Sequence, residues 1–232
     1  MLPPRGSELH RWFGSVVAAA GDLDRDGTPD LLVAEPGLYD HRGDVWAVSG
    51  KDGHVLQHVL GDARGDGFGV DIRCAGDVDG DGHADWIVGA GSRYNPKLMN
   101  GYAVVYSGAT GKPIHRFLCR SHGDGFGSAV AGAGDVNKDG YADHVVGTYD
   151  TDGSGDAMGV ALVFSGRDGS VLRVLGPRGR REERGMAVAG VGDVDGDGFD
   201  DVAVSVIDET SPAHAAPEVR IYSGKDGALL FV

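Results

Sequence analysis

Three short phrases recur in fixed order four times along this chain, and that periodicity limits the fold more than any other feature. The first phrase is "GDLDRDGTPD" from Gly21, "GDVDGDGHAD" from Gly76, "GDVNKDGYAD" from Gly134 and "GDVDGDGFDD" from Gly192. Its leading aspartates, Asp22, Asp77, Asp135 and Asp193, stand 55, 58 and 58 residues apart. The second phrase, "SGKDG", "SGATG", "SGRDG" and "SGKDG", starts at Ser49, Ser107, Ser165 and Ser223 and returns every 58 residues. The third is "WFGSVV", "GFGVDI", "GFGSAV" and the degenerate "ERGMAV". Its glycine (Gly14, Gly69, Gly127, Gly185) always lies eight residues before the leading aspartate. Order, spacing and number together define a repeat protein, whose units bury their apolar faces against one another.

The 232 residues form one repeat region, 1–232, with units at approximately 12–66, 67–124, 125–182 and 183–232. Within the second unit "FGVDIRCAG" (68–76), "DWIVGAG" (85–91), "GYAVVYSG" (101–108) and "KPIHRFL" (112–118) read as short strands. Each is apolar or alternating, rich in Val, Ile and Tyr, and bounded by Gly, Asp or Asn. No helical period appears. Four strands joined by short links make an antiparallel meander, and a lone meander cannot bury both of its faces. The expectation is therefore all-β: a β-propeller of four four-stranded antiparallel blades. The 41 glycines, far above the usual share of about 7%, sit at repeated turn positions and not in a flexible linker.

A meander alternates its links between two rims. The acidic phrase and the "SGxxG" turn must share one rim. The opposite rim carries links that differ in every unit: 36–42, 92–100, 150–158 and 208–217.

Each acidic phrase carries oxygen donors at its positions one, three, five and nine. These are Asp22, Asp24, Asp26 and Asp30; Asp77, Asp79, Asp81 and Asp85; Asp135, Asn137, Asp139 and Asp143; and Asp193, Asp195, Asp197 and Asp201. Position six is always glycine, which allows a sharp bend. Position seven (Thr28, His83, Tyr141, Phe199) varies freely, as expected where only its carbonyl serves as a ligand. So many hard oxygen donors suit Ca²⁺ better than Mg²⁺ or a nitrogen-seeking metal, and the expectation is four calcium sites, one per repeat. An EF-hand is excluded: position twelve is Val33, Val88, Val146 and Val204 in place of a bidentate Glu, and the flanks are strands. Without a cation, carboxylates packed this closely repel one another by about 1 kcal/mol per pair even in water.

With "FG", then "GDxDxDGxxD", a short apolar strand and "VxVYSG", the chain resembles the FG-GAP repeat of the integrin alpha N-terminal β-propeller, in its bacterial form. The resemblance covers essentially the whole chain. The "FG" is intact at Phe13-Gly14, Phe68-Gly69 and Phe126-Gly127 and lost at Gly185-Met186; the "GAP" survives loosely as "AEP" (34–36) and "GAG" (89–91). It implies a seven-bladed ring with calcium on the lower rim and ligands on the upper one. Four units favour a piece of a larger ring over a closed four-bladed ring or a self-paired assembly of eight blades. An open arc would expose an apolar blade face at each end and invite self-association.

The formal charge is −14, but fifteen of the 35 acids are the candidate ligands, so the acidity is local. No basic run with interleaved aromatics points to nucleic acid. No apolar run is long enough to insert in a membrane, and the opening "MLPPRGSELHRWFG" shows no signal peptide. Cys74 occupies a small-residue position and Cys119 a connector; the pattern favours no disulfide between them. Two RGD tripeptides, Arg42-Gly43-Asp44 and Arg64-Gly65-Asp66, are explained by the repeat and not by adhesion.

No spacing assembles a nucleophile, a phosphate loop or an acid–base pair. The expected function is a non-catalytic, calcium-binding module, extracellular or on the cell surface, whose variable loops present a surface to a protein or glycan, with Tyr39, Tyr94 and Tyr149 available for stacking. The alternative is the propeller domain of a secreted polysaccharide lyase or hydrolase. Asp150, Asp152, Asp156, Asp208 and Glu209 are its acidic candidates on the variable rim. A purely structural spacer is the third reading.

Overall fold

The computed structural model describes residues 12–38, 41–91, 101–118, 125–148, 160–176, 187–206 and 218–232. Among the described residues, sixteen strands fall into four sheets of four. Blade one comprises β1 (Val16–Gly21), β2 (Asp30–Glu35), β3 (Asp44–Val48) and β4 (Val55–Leu60); blade two β5 (Phe68–Gly76), β6 (Asp85–Ala90), β7 (Tyr102–Tyr106) and β8 (Pro113–Leu118). Blade three comprises β9 (Ala129–Gly134), β10 (Asp143–Gly147), β11 (Ala161–Phe164) and β12 (Val171–Leu175). Blade four comprises β13 (Val188–Gly192), β14 (Asp201–Val206), β15 (Glu218–Tyr222) and β16 (Leu229–Phe231). Every sheet runs in chain order with antiparallel neighbours, so each blade is the expected meander.

The blades stack face to face, and the core consists of the three seams between consecutive blades. Leu32, Val45 and Ala47 of blade one meet Ile72, Trp86 and Val104 of blade two. Val78, Ile87 and Val105 of blade two meet Phe126, Val130 and Phe164 of blade three. Val145, Val163 and Leu175 of blade three meet Val202, Val204 and Tyr222 of blade four. These residues lie on alternate faces of the strands, which is how period-two side chains supply two neighbours at once. The innermost strands β1, β5, β9 and β13 line a central groove of ≈ 520 Å³ walled by small residues such as Ala18, Ala19, Gly132 and Gly190.

Each inner strand ends in the same irregularity. The pairing slips between Ala19 and Gly21, and between Cys74 and Gly76, so that Ala20 and Ala75 are extra residues turned into the seam. The glycines that follow, Gly21, Gly76, Gly134 and Gly192, have φ of 71–81°. This bulge aims the chain out of the sheet and into the acidic loop.

The rims sort as the meander requires. At the rim opposite the acidic loops, the first variable link and the connector between blades one and two are tied together. The Arg42 guanidinium donates to the Gly61 and Asp62 carbonyls at 3.0 Å, and Gly37 N–H donates to Phe68 O at 2.8 Å. The other variable links, together with Tyr39, Tyr94, Tyr149 and the five acidic candidates for catalysis, lie outside the described residues. Both RGD tripeptides are structural. Asp66 is buried and accepts from Ala63 N, Phe68 N and the Tyr102 hydroxyl, while Asp44 pairs with His58 at 2.6 Å.

Candidate metal centres

The acidic loops (22–30, 77–85, 135–143 and 193–201) are held by their own backbone. At position one, Asp22 accepts from Asp26 N (3.1 Å) and Gly27 N (2.9 Å), and Asp77 from Gly80 N (2.8 Å) and Gly82 N (2.9 Å). Asp135 and Asp193 repeat the pattern with Gly140 N and Gly198 N. Position three (Asp24, Asp79, Asn137, Asp195) accepts from the N–H of position five. Position five (Asp26, Asp81, Asp139, Asp197) accepts from the N–H of position seven. These local bonds curl the chain so that alternate side chains point inward, and the glycine at position six takes φ of 84–87°.

Position nine has a further role that sequence reasoning missed. Asp30, Asp85, Asp143 and Asp201 are fully buried. In each, one oxygen accepts from the N–H of position two (Leu23, Val78, Val136, Val194) at 2.7–2.9 Å. The other accepts from the second residue of the "SG" turn (Gly50, Gly108, Gly166, Gly224) at 2.8–3.1 Å. The two most regular phrases of the sequence are thus joined through one carboxylate. The turn residue must be glycine because a Cβ at Gly50, Gly108, Gly166 or Gly224 would land on the carbonyl oxygen of position eight. The strict 58-residue beat of "SG" was the available signal.

Carboxylate oxygens converge within 4.8 Å of one another in three loops: Asp22, Asp24 and Asp30; Asp77, Asp79 and Asp85; and Asp193, Asp195 and Asp197. In the third loop Asn137 interrupts the series, and its amide donates to Asp139 Oδ2 at 3.1 Å. Burial pushes Asp85 and Asp143 up to about 6, with the neighbouring loop carboxylates adding to the rise. Asp79 is also raised, first by burial and then by Asp81 and Asp77. A carboxylate oxygen that accepts one backbone N–H keeps a further lone pair, so the same atoms can still face a cation. The donor set fits a hard divalent ion.

The position-seven side chains of blades two, three and four find partners in a neighbouring blade or in the turn of their own blade. The His83 ring meets Leu23 O at 2.6 Å; Tyr141 lies under the Arg167 guanidinium; Phe199 lies between Lys138 and Lys225. Two lysines of the "SGKDG" turns contact position five of their own blade: Lys51 with Asp26 at 3.5 Å and Lys225 with Asp197 at 3.3 Å. Position four, unremarked in the sequence, is left-handed in all four loops. Gly80 and Gly196 take it without strain, whereas Arg25 and Lys138 take it at φ 60°. Lys138 reaches the next loop, donating to Asp197 O at 3.3 Å and lying 4.1 Å from the Phe199 ring centre.

Stacked four-stranded blades, each with an acidic loop on the same rim, define a β-propeller protein of the repeat type. The model of the FG-GAP repeat family matches residues 13–48. Mouse integrin alpha-2 is 31% identical over 168 residues, covering 66% of this chain and 14% of the relative, and human integrin alpha-IIb is 41% identical over 93 residues, covering 37% and 9%. The family-model match and the integrin alpha relatives together support an FG-GAP repeat, integrin alpha-like β-propeller, and the chain spans about one seventh or less of the length of these relatives. Among solved structures, the rhamnogalacturonan lyase YesW superposes with a TM-score of 0.53 at 17% identity, over 93% of this chain and 51% of that one. The Dos1 propeller superposes with a TM-score of 0.52 at 12% identity, over 94% and 46%. These two likenesses concern the fold alone.

The "FG" signature has a packing explanation. Phe68 and Phe126 are buried in the seams, and Gly69 and Gly127 adopt φ of 83–87°. A Cβ at Gly127 would strike the Tyr102 carbonyl, and one at Gly89, in the "GAG" remnant, would strike the Gly127 carbonyl. The two halves of the signature therefore face each other across a seam.

Proposed function

We propose that this chain is a non-catalytic, extracellular β-propeller module in which four calcium ions, one per acidic loop, rigidify one rim while the opposite rim presents variable loops to a protein or glycan ligand. The observation that carries the reading is the convergence of loop carboxylates on one rim in blades one, two and four. Oxygen-only donors around a glycine bend match calcium. Loops of this exposed kind hold calcium in the 10⁻⁴ to 10⁻³ M class, roughly the range available outside cells, and the integrin alpha relatives support the same setting. Calorimetric titration of chelator-stripped protein with CaCl₂ is expected to saturate at about four ions per chain, one per repeat. Asp79→Ala should remove one of them, and absence of binding heat would sink the metal reading. Glycan and protein arrays probed with and without chelator test the ligand rim. Turnover of a polysaccharide by the purified chain would instead establish the lyase or hydrolase alternative.

A further inference from the structure

The acidic loops are not separate units, because position four of one loop lies against the loop of the next blade. In blade one this residue is Arg25, whose guanidinium covers Gly82 of the second loop: a Cβ at Gly82 would meet Nη2 at 3.0 Å and Cζ at 3.2 Å. In blade two it is Gly80, where a Cβ would meet the Tyr141 ring of the third loop at 3.4 Å. In blade three it is Lys138. Its ammonium covers Gly198, donates to Asp197 O at 3.3 Å and lies 4.1 Å from the Phe199 ring centre. Further bonds join the same loops. The His83 ring meets Leu23 O at 2.6 Å, Ala142 N–H donates to Asp77 O at 3.3 Å, and Asp135 N–H donates to Asp200 Oδ2 at 2.8 Å.

Arg25 and Lys138 hold a left-handed backbone, φ 60°, that glycine adopts freely and a residue with a Cβ adopts at a cost. The bend itself needs no side chain, since Gly80 and Gly196 make it in loops two and four. What the two long residues add is a positive charge set against position six of the following loop, one residue from Asp81 or Asp197. Donors and receivers alternate: loop one serves loop two, and loop three serves loop four. The receiving loops are the two with glycine at position four. Lys51 and Lys225 differ in kind, because each contacts position five of its own blade.

We infer that Arg25 and Lys138 are tethered counter-cations for the acidic loop of the following blade: they stabilise loops two and four without metal, and calcium enters those loops against a resident positive charge. The inference rests on the calcium reading of the loops and adds a device that sets the affinity of one site from the neighbouring blade.

Arg25→Gln and Lys138→Gln test it, since each removes the charge but keeps a side chain, and so the backbone cost, at the left-handed position. In chelator-treated protein each variant should melt below wild type, because the receiving loop has lost its counter-charge. With saturating calcium the order should reverse. Calorimetric titration with CaCl₂ in about 0.05 M NaCl should show one site tightened about threefold to tenfold, the order expected when a unit charge is removed from near a divalent ion in a high-dielectric setting. The gain should shrink in about 1 M NaCl, where screening reaches about 3 Å. In an Asp79→Ala background, which disables loop two, Arg25→Gln should shift none of the remaining sites; Asp195→Ala should likewise silence Lys138→Gln. An unchanged midpoint in chelator overturns the proposal. So does equal destabilisation with and without calcium, the mark of packing alone, or a shift in affinity that persists in the Asp79→Ala background. Absence of binding heat in wild type and variants alike would strike the metal reading instead, and the chelator-treated midpoints then decide whether the tether exists.

Discussion

Position nine shows how one residue type serves both fold and site. Asp85 takes two backbone donors out of the interior, Val78 N and Gly108 N, at 2.7 and 2.8 Å. Asp85→Ala leaves both without an acceptor, at roughly 1–3 kcal/mol each, before any loss of metal. Gly108→Ala drives a methyl group onto the Ala84 carbonyl, and overpacking of this kind costs about 1–3 kcal/mol or more; denaturant midpoints of the two variants check both. His144 behaves differently. It is fully buried on the face that meets blade two, beside His115 and Phe117, and its ring nitrogens have no partner among the described residues. Burial, with His115 adding to it, pushes its pKa down to about 3 from 6.5. The folded state therefore binds this proton less readily than the unfolded state. Its contribution to stability is complete above 6.5 and is lost as pH falls, by about 1.4 kcal/mol per unit until about 3. His144→Leu removes that slope. The melting-temperature gain of the variant over wild type should widen steadily from pH 7 to pH 4, and a constant gap would refute the assignment.

At the scale of the strand, the outer edge of each blade latches onto the turn of the next. Gln57 of β4 donates to Gly108 O and accepts from the Trp86 indole; the His115 ring of β8 meets Gly166 O at 2.5 Å; Arg173 of β12 donates to Lys225 O. Gln57→Leu should destabilise by about 1–3 kcal/mol because it orphans a buried indole N–H, while Gln57→Glu, which keeps an acceptor for it, should lose less. Equilibrium unfolding of the two variants provides the comparison. Strands such as β5 to β8 were legible in the sequence because apolar runs of four to eight residues are punctuated there by Gly, Asp or Asn. The shared rim of acidic loop and "SG" turn was legible because a meander alternates its links. The latch was not, since Gln, His and Arg share no pattern and only their reach to the next blade unites them. The bulges at Ala20 and Ala75 were equally silent, because an extra small residue among small residues leaves no mark on a period of two. The left-handed position four was hidden by Arg25 and Lys138, which occupy a conformation that sequence rules reserve mainly for glycine.

For the molecule as a whole, the acidic loops concentrate most of the net charge of −14 on one rim, and within each of the three carboxylate triplets the oxygens sit within 4.8 Å of one another. Without a cation, each loop stores repulsion that only the solvent and its ions relieve. Screening reaches about 10 Å at 0.1 M salt and about 3 Å at 1 M, so monovalent salt becomes effective within a triplet only at the upper end of that range. Chelator-treated protein should therefore gain melting temperature steadily as NaCl rises from about 0.05 to 1 M. Protein saturated with calcium should gain much less, because the bound charge has already replaced the screening. Calcium itself should add about 2.7 kcal/mol per site at a free concentration one hundred times the dissociation constant, if the unfolded chain does not bind it. The two curves should thus converge at high salt without meeting, since screening offsets repulsion but supplies no ligand bonds. Melts across a salt series, with and without chelator, measure this difference directly. Parallel curves would mean that the loop carboxylates are already relieved by their backbone N–H donors and by Lys51 and Lys225, and that the acidity of this rim has another cause.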